Sequence, residues 1–438
     1  MRITPIALAF LALGVTGCDS WFGESKGPPL QGNRIAVLRG TTGVEPDARV
    51  ADLAVALPRP VRNPEWPQTG GDPAHSLQHL EAGDNLAEIW RRDIGDGIDS
   101  ERQLIARPVV AGGRIYAMDT GYRVTALDTE GGGQVWQVSI RPNDQRGDAF
   151  GGGLAVAEGR VFVTTGYAQT VALDAATGEV VWRRPLPSPA RGAPTVAGGR
   201  LFTVTVDNQL YALDTATGAV RWTHSAIIEI ASYLGAGSPA AEGDAVVATF
   251  SSGEIVGFRI DNGRQLWSDS LAALQRTESL TTLSDVRGSP VIDRGLVVAV
   301  GNAGRMAAIG LRSGARVWQK AIGGIEMPWV AGDFIYVLTN DSELVCLTRR
   351  EGAVKWVRSL PRWRNPDNPV RRIVWSGPVL VGDRLVITSS EGEAWAVSPY
   401  TGDALGRIRL PGSSSVAPIV ANGTLYFITD DAILVAFR

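Results

Sequence analysis

The chain has 438 residues, 44% of them hydrophobic and 20% charged, with 52 Gly and 25 Pro. This supports one large repeat domain or two to three ordinary ones, rich in tight turns. The 42 Lys and Arg against 45 Asp and Glu leave a net charge of -3, without the basic surplus of a nucleic-acid binder; two Cys and no CxxC pair exclude zinc-ribbon and thioredoxin-type sites.

The first element is an export signal. Arg2 supplies a positive start, and 6–15 is an uncharged apolar run too short to span a bilayer. It ends in Leu13-Gly14-Val15-Thr16-Gly17-Cys18, small residues before a Cys, which resembles a bacterial lipobox. Residues 1–17 are then a cleaved signal peptide and Cys18 is the acylated mature N-terminus. Each buried CH2 of such chains contributes about 0.8 kcal/mol, so several acyl chains anchor stably. Asp19 follows, a residue that in enteric bacteria accompanies retention in the inner membrane. Residues 18–65 read as the lipidated Cys and a flexible tether rich in Pro, Gly, Arg and Asp, with a short helix expected within 47–56.

From 66 to 438 the chain repeats itself. The clearest unit follows Gly192: an apolar strand, a Gly-Gly turn, a β-branched strand, a polar turn, an alternating strand, a Thr-Gly turn and a strand bearing Trp. The Trp recurs at Trp90, Trp136, Trp182, Trp222, Trp267, Trp318 and Trp356, in steps of about 45 residues, a propeller-blade period. Gly132, Gly178, Gly218, Gly263, Gly314 and Gly352 stand four residues before six of them; a further unit has Thr401-Gly402 but Gly406 in the Trp place. The Trp90 strand has no partners in its own unit, and the C-terminal unit has three strands. Pairing Trp90's strand with Leu434–Phe437 completes an eighth blade and leaves no open seam. The expected fold is all-β: an eight-bladed propeller of four-stranded blades, the last closed by both chain ends. The Trp residues are expected to pack between blades, and Asp128, Asp174 and Asp214 to brace turns through backbone N–H groups.

Catalytic patterns are sparse. His75 and His79 lie in a Gly/Pro-rich segment without a third ligand, and His224 reads as a surface residue. Gly151-Gly-Gly153 precedes a strand, unlike a phosphate loop. Cys346, in Leu344-Val-Cys-Leu347, reads as apolar filler. The Arg-rich connection 358–372, with Trp363, is a secondary binding candidate for acidic or aromatic partners, or else a solvated insertion.

The turn Ala172-Leu-Asp-Ala-Ala-Thr-Gly-Glu-Val-Val-Trp182 resembles the tryptophan-docking motif of quinoprotein (PQQ-type) propellers, and Ala212-Leu-Asp-Thr-Ala-Thr-Gly-Ala-Val-Arg-Trp222 repeats it. That resemblance concerns fold, not activity. Within the superfamily, the lipobox, the length, Leu283-Ser-Asp-Val-Arg-Gly-Ser-Pro290 and Pro64-Glu-Trp-Pro-Gln-Thr-Gly-Gly-Asp-Pro73 resemble the BamB family of outer-membrane protein assembly factors. This resemblance implies a palmitate-bearing lipoprotein at the outer membrane, facing the periplasm, with the inner membrane the alternative that Asp19 raises. It implies a monomeric subunit of a hetero-oligomer, with no enzyme activity and no cofactor or metal. Its partners would be a POTRA domain of the BamA insertase, other assembly subunits, and unfolded outer-membrane proteins received by strand addition.

In that family two neighbouring loops make the docking contact. The matching stretches are Ala231-Ser-Tyr-Leu-Gly235 and Leu283-Ser-Asp-Val-Arg287, which nominate Tyr233, Leu234, Gly235, Asp285, Val286 and Arg287 for partner binding. Asp285 falls on an acidic contact position, whereas Arg287 replaces a second acid and Leu234 an Arg. The alternative reading is an ordinary blade connection in which Asp285 caps a turn. A PQQ-dependent dehydrogenase and a generic protein-binding propeller are the competing functions. The first needs a cofactor clamp, calcium ligands and a carboxylate base, for which the sequence offers no convincing set.

Overall fold

In the computed structural model, residues 43–99, 102–103, 106–145, 147–228, 237–272 and 286–438 are described. Cys18, Tyr233, Leu234, Gly235 and Asp285 lie outside them.

Eight four-stranded antiparallel sheets form the blades. Blades 1 to 7 comprise 109–139, 152–185, 195–225, 240–270, 291–320, 329–359 and 375–409. Blade 8 takes three strands from 419–437 and its outer strand, Glu88–Asp93, from the other end of the chain. There Trp90 pairs with Ala436 and Arg92 with Leu434, the closure that the sequence predicts.

Burial explains the strand order. The second and third strands of blade 3, Arg200–Val204 and Gln209–Asp214, are buried almost throughout, because neighbouring blades cover both faces. The outer strand Val220–Ser225 alternates exposed with half-buried residues. The first two strands join through Gly198 and Gly199 at φ 56° and 68°, a tight hairpin turn that suits glycine.

Seven of the eight blades lock onto the next through a Trp on the outer strand; blade 7 has Gly406 in that place. The Nε1 of Trp90, Trp136, Trp182 and Trp222 donates to the carbonyls of Thr129 (3.2 Å), Ala175 (3.1 Å), Thr215 (3.0 Å) and Ile260 (3.0 Å) in the following blade. Trp267, Trp318 and Trp356 donate likewise to Leu311 (2.6 Å), Arg349 (2.8 Å) and Pro399 (3.1 Å). Each indole lies against the Thr-Gly-type turn of that following blade: a Cβ on Gly132 would come within 2.8 Å of Trp90, and one on Gly218 within 2.7 Å of Trp182. The Gly four residues before a blade's own Trp therefore receives the previous blade's Trp.

Across the strand pair, each Trp faces a small residue. Trp136 pairs with Ala126, Trp267 with Gly257 and Trp356 with Cys346, each beside a β-bulge. Cys346 is thus the small residue beneath an indole, and burial pushes its thiol pKa up. The turn aspartates act as braces: Asp174 Oδ1 accepts from Ala176 N (2.8 Å) and Thr177 N (2.9 Å), which holds its carboxyl below the usual range. Asp214 is held at about 2, first by the Arg221 guanidinium and then by Thr217.

The stretch expected as a tether is laid on the propeller from Val44 onward. A single 3-10 turn, Ala48–Val50, replaces the helix expected over 47–56; Asp47 caps it, accepting from Arg49 N at 3.0 Å. Asp47 N donates to Val354 O (2.8 Å), and Val55 and Leu57 pack on the core.

Candidate partner-binding face

Antiparallel blades send successive connections to opposite ends of the ring. The described ends of the connections before the first strands of blades 4 and 5, at 226–228, 237–239, 271–272 and 286–290, lie at one end with the turns between second and third strands. The Gly turns between first and second strands lie at the other.

The two candidate loops leave their described ends side by side. Ser289, after the second loop, accepts from Ser238 N, after the first, at 2.9 Å through its Oγ. A Cβ on Gly237 would meet Gly288 O at 2.8 Å, so the exits touch and both glycines are sterically required. Buried Asn208 anchors the first loop's start: its Nδ2 donates to Ile227 O (2.6 Å), and its Oδ1 accepts from Ser251 N and Oγ. Glu254 accepts from Ile227 N at 3.0 Å.

Of the six residues nominated for partner binding, Val286 and Arg287 lie among the described residues. Val286 is 1% exposed and packs in the core of blades 4 and 5 with Leu271, while its N–H donates to Phe250 O (3.4 Å). The Val286 side chain is thus packed inside the propeller rather than exposed on its surface. Arg287 is half-buried and has no ion pair among the described residues.

Sequence reasoning missed Ile227 and Ile228, which are 63% and 69% exposed at the entry to the first loop. Two adjacent isoleucines just past an outer strand were the available signal, since the strand's polar alternation ends at Ser225. Exposed apolar residues beside a polar rim are the composition of a binding centre.

The Arg-rich connection is a folded hairpin on the same face. Arg364 N donates to Arg371 O (3.0 Å), Ile373 N to Arg362 O (2.9 Å), and Trp375 Nε1 to Pro361 O (2.9 Å). Arg362 and Arg364 pair with Asp341 and Glu391. A cleft of about 400 Å³ at its foot is lined by Asn302, Asn340, Arg372 and Trp375, among others. Within the channel, Arg107 of blade 1 reaches Glu326 of blade 6 at 3.0 Å.

His75 Nδ1 and His79 Nδ1 bond the carbonyls of Pro290 (2.7 Å) and Pro58 (2.8 Å), so both rings hold backbone. His224, expected at the surface, is half-buried on an outer strand, its ring 4.6 Å from the Phe258 ring, and burial lowers its pKa. Among the described residues no three His, Cys, Asp or Glu side chains are grouped to hold a metal.

The family model of outer membrane protein assembly factor BamB matches residues 80–144 and 120–358. The BamB of Shigella dysenteriae serotype 1 is 32% identical over 341 residues, 77% of this chain and 84% of its own. The crystal structure of BamB from Moraxella catarrhalis matches with TM-score 0.65 and 18% identity, over 81% of this chain and 98% of that one. The quinohemoprotein alcohol dehydrogenase of Comamonas testosteroni also matches with TM-score 0.65, at 15% identity, over 86% of this chain and 81% of that one. The two structural likenesses show the fold alone. The sequence kinship separates the two classes, and by it the chain belongs to the outer membrane protein assembly factor BamB family.

Proposed function

We propose that this protein is a lipid-anchored, non-enzymatic scaffold of the β-barrel assembly machinery at the outer membrane, facing the periplasm. Cys18 carries the acyl chains. The face bearing the loops around Tyr233 and Asp285 docks on a POTRA domain of the BamA insertase. The observation that carries this reading is the 32% identity to an outer membrane protein assembly factor across 77% of the chain.

Tyr233, Leu234 and Gly235 supply the first loop's contact, with Ile227 and Ile228 extending its apolar centre. Asp285 and Arg287 supply the second loop's polar contact. Because Leu234 and Arg287 depart from the family's charge pattern, the partner surface must differ in compensation: an apolar patch opposite Leu234 and an acid opposite Arg287. The outer strands, with unpaired edges such as Val180–Pro185, offer sites for strand addition by unfolded outer-membrane proteins.

The test is a pull-down from detergent-solubilised membranes, with the wild type and a folded Leu234→Asp, Asp285→Arg double variant. Insertase recovered with the wild type and lost with the variant supports partner and site together. Recovery with both keeps the partner and rejects the loops. Recovery with neither rejects the reading.

A further inference from the structure

The innermost strand of every blade is a sheet edge, and its inward N–H and C=O groups have no partner within the blade. Buried groups of this kind need one. The segment 61–82 contacts the inner edge of all eight blades in the order of the ring, reaching blade 6 through the Trp329 indole and the Gly332 turn amide.

Asn63 meets blade 8: its Nδ2 donates to Val420 O (2.6 Å), and its carbonyl accepts from Asn422 N (2.6 Å). Trp66 exchanges two bonds with Val110 of blade 1, each 2.8 Å. Pro67 O accepts from Val156 N of blade 2 at 2.6 Å. Gln68 Oε1 accepts from Val196 N of blade 3 at 2.8 Å. Pro73 O accepts from Ala241 N of blade 4 (2.7 Å) and Ala74 O from Ile292 N of blade 5 (2.8 Å). Gln78 takes blade 6, its carbonyl accepting from Trp329 Nε1 (2.7 Å) and its Oε1 from Gly332 N (2.9 Å). Leu80 O accepts from Gly382 N of blade 7 at 2.8 Å.

The segment then closes on itself. Val61 N donates to His79 O (2.9 Å), and Glu81 N to Val61 O (3.0 Å). Its side chains fill the hub: Trp66, Gln68, His75, His79 and Leu80 are each at most 3% exposed, and Trp66 stacks on Trp329 with ring centres 6.2 Å apart. Gly70 and Gly71 permit the fold-back, because a Cβ on either would strike His75 or Leu77.

We infer that residues 61–82 are a lasso: a closed strap that seals the channel at the mouth opposite the partner loops and locks the eight inner strands into one cooperative unit. The lasso is a second closure, independent of the shared eighth blade, and it clamps the seam between blades 8 and 1 through Asn63 and Trp66. A polypeptide entering the channel has the loop face as its way in and cannot thread through.

Amide hydrogen exchange resolved by residue tests this. In the wild type, the amides of Val110, Val156, Val196, Ala241 and Ile292 should share one protection factor, because the lasso opens as a whole. In Gln68→Ala, which deletes the contact to blade 3 alone, all five should exchange at least tenfold faster. Faster exchange at Val196 alone, or unrelated protection factors in the wild type, would overturn the inference. The wild-type measurement decides it even if the variant does not fold.

Discussion

At the residue scale, the blade interface rests on three coupled choices. A Trp needs a small residue across the strand pair, a carbonyl in the next blade for its Nε1, and a Gly whose missing Cβ leaves room for the ring. The sequence displays the Trp and the Gly, but within one unit they look like parts of one motif. The structure shows that each Gly serves the neighbour's Trp, a pairing that no spacing within a unit can reveal.

Gly218 and Gly199 separate backbone from packing, since both have φ near 67° but only Gly218 faces an indole. Gly199→Ala should cost about 1 kcal/mol in a urea titration, from backbone conformation alone. Gly218→Ala should cost roughly 2–4 kcal/mol, because Trp182 must also move. Equal costs would show that the indole does not depend on the glycine.

His75 sets an acid limit. It is buried, its Nε2 has no hydrogen-bond partner among the described residues, and burial lowers its pKa from 6.5 to about 4, with the bond to Pro290 opposing the shift and Arg107 adding to it. Below pH 6.5 the unfolded chain takes up this proton and the folded chain does not, so stability falls as pH drops from 6.5 towards 4, by up to roughly 3 kcal/mol. Denaturant titrations at pH 7 and 4.5 should show this loss in the wild type and a smaller one in His75→Gln. An identical loss in both would remove His75 as its source.

At the element scale, strand number and blade count were legible because period-2 alternation and Gly turns recur with the Trp. The eighth blade also explains the exception. Its third and outer strands come from opposite chain ends, so it has no turn there to receive an indole, and blade 7 accordingly carries Gly406 where the others carry Trp. A groove of about 580 Å³ remains at that seam, lined by Leu86, Trp395, Leu405 and Ile408 among others. Removing 431–438 deletes the strand Ile433–Phe437 that joins Glu88–Asp93 to the blade. The truncated chain should lose its cooperative thermal transition by circular dichroism. An unchanged midpoint would mean that the lasso alone closes the ring. The lasso itself was illegible: 61–82 lacks a periodic pattern, and its eight contacts depend on where folding brings the inner strands.

At the scale of the molecule, the lasso occupies one end of the ring and leaves the loop end for partners. The described residues that follow the two candidate loops touch, Ser238 N donating to Ser289 Oγ. The sequence could not show that Val286 turns inward, or that Ile227 and Ile228 stay exposed, because burial depends on the packing of blades 3 to 5. An Ile227→Asp, Ile228→Asp variant should lower insertase recovery about tenfold, as expected for loss of an apolar anchor, and leave the melting temperature unchanged, since both side chains face solvent. Full recovery would exclude these residues from the interface.

The most direct test of the docking face is site-specific photo-crosslinking in intact cells. One probe replaces Arg287 on the loop face, and the other replaces Arg312, exposed in a turn at the lasso end. An insertase adduct is expected from position 287 and none from 312. An adduct from 312 alone would place the interface on the opposite face of the propeller and rule out docking through the loop face.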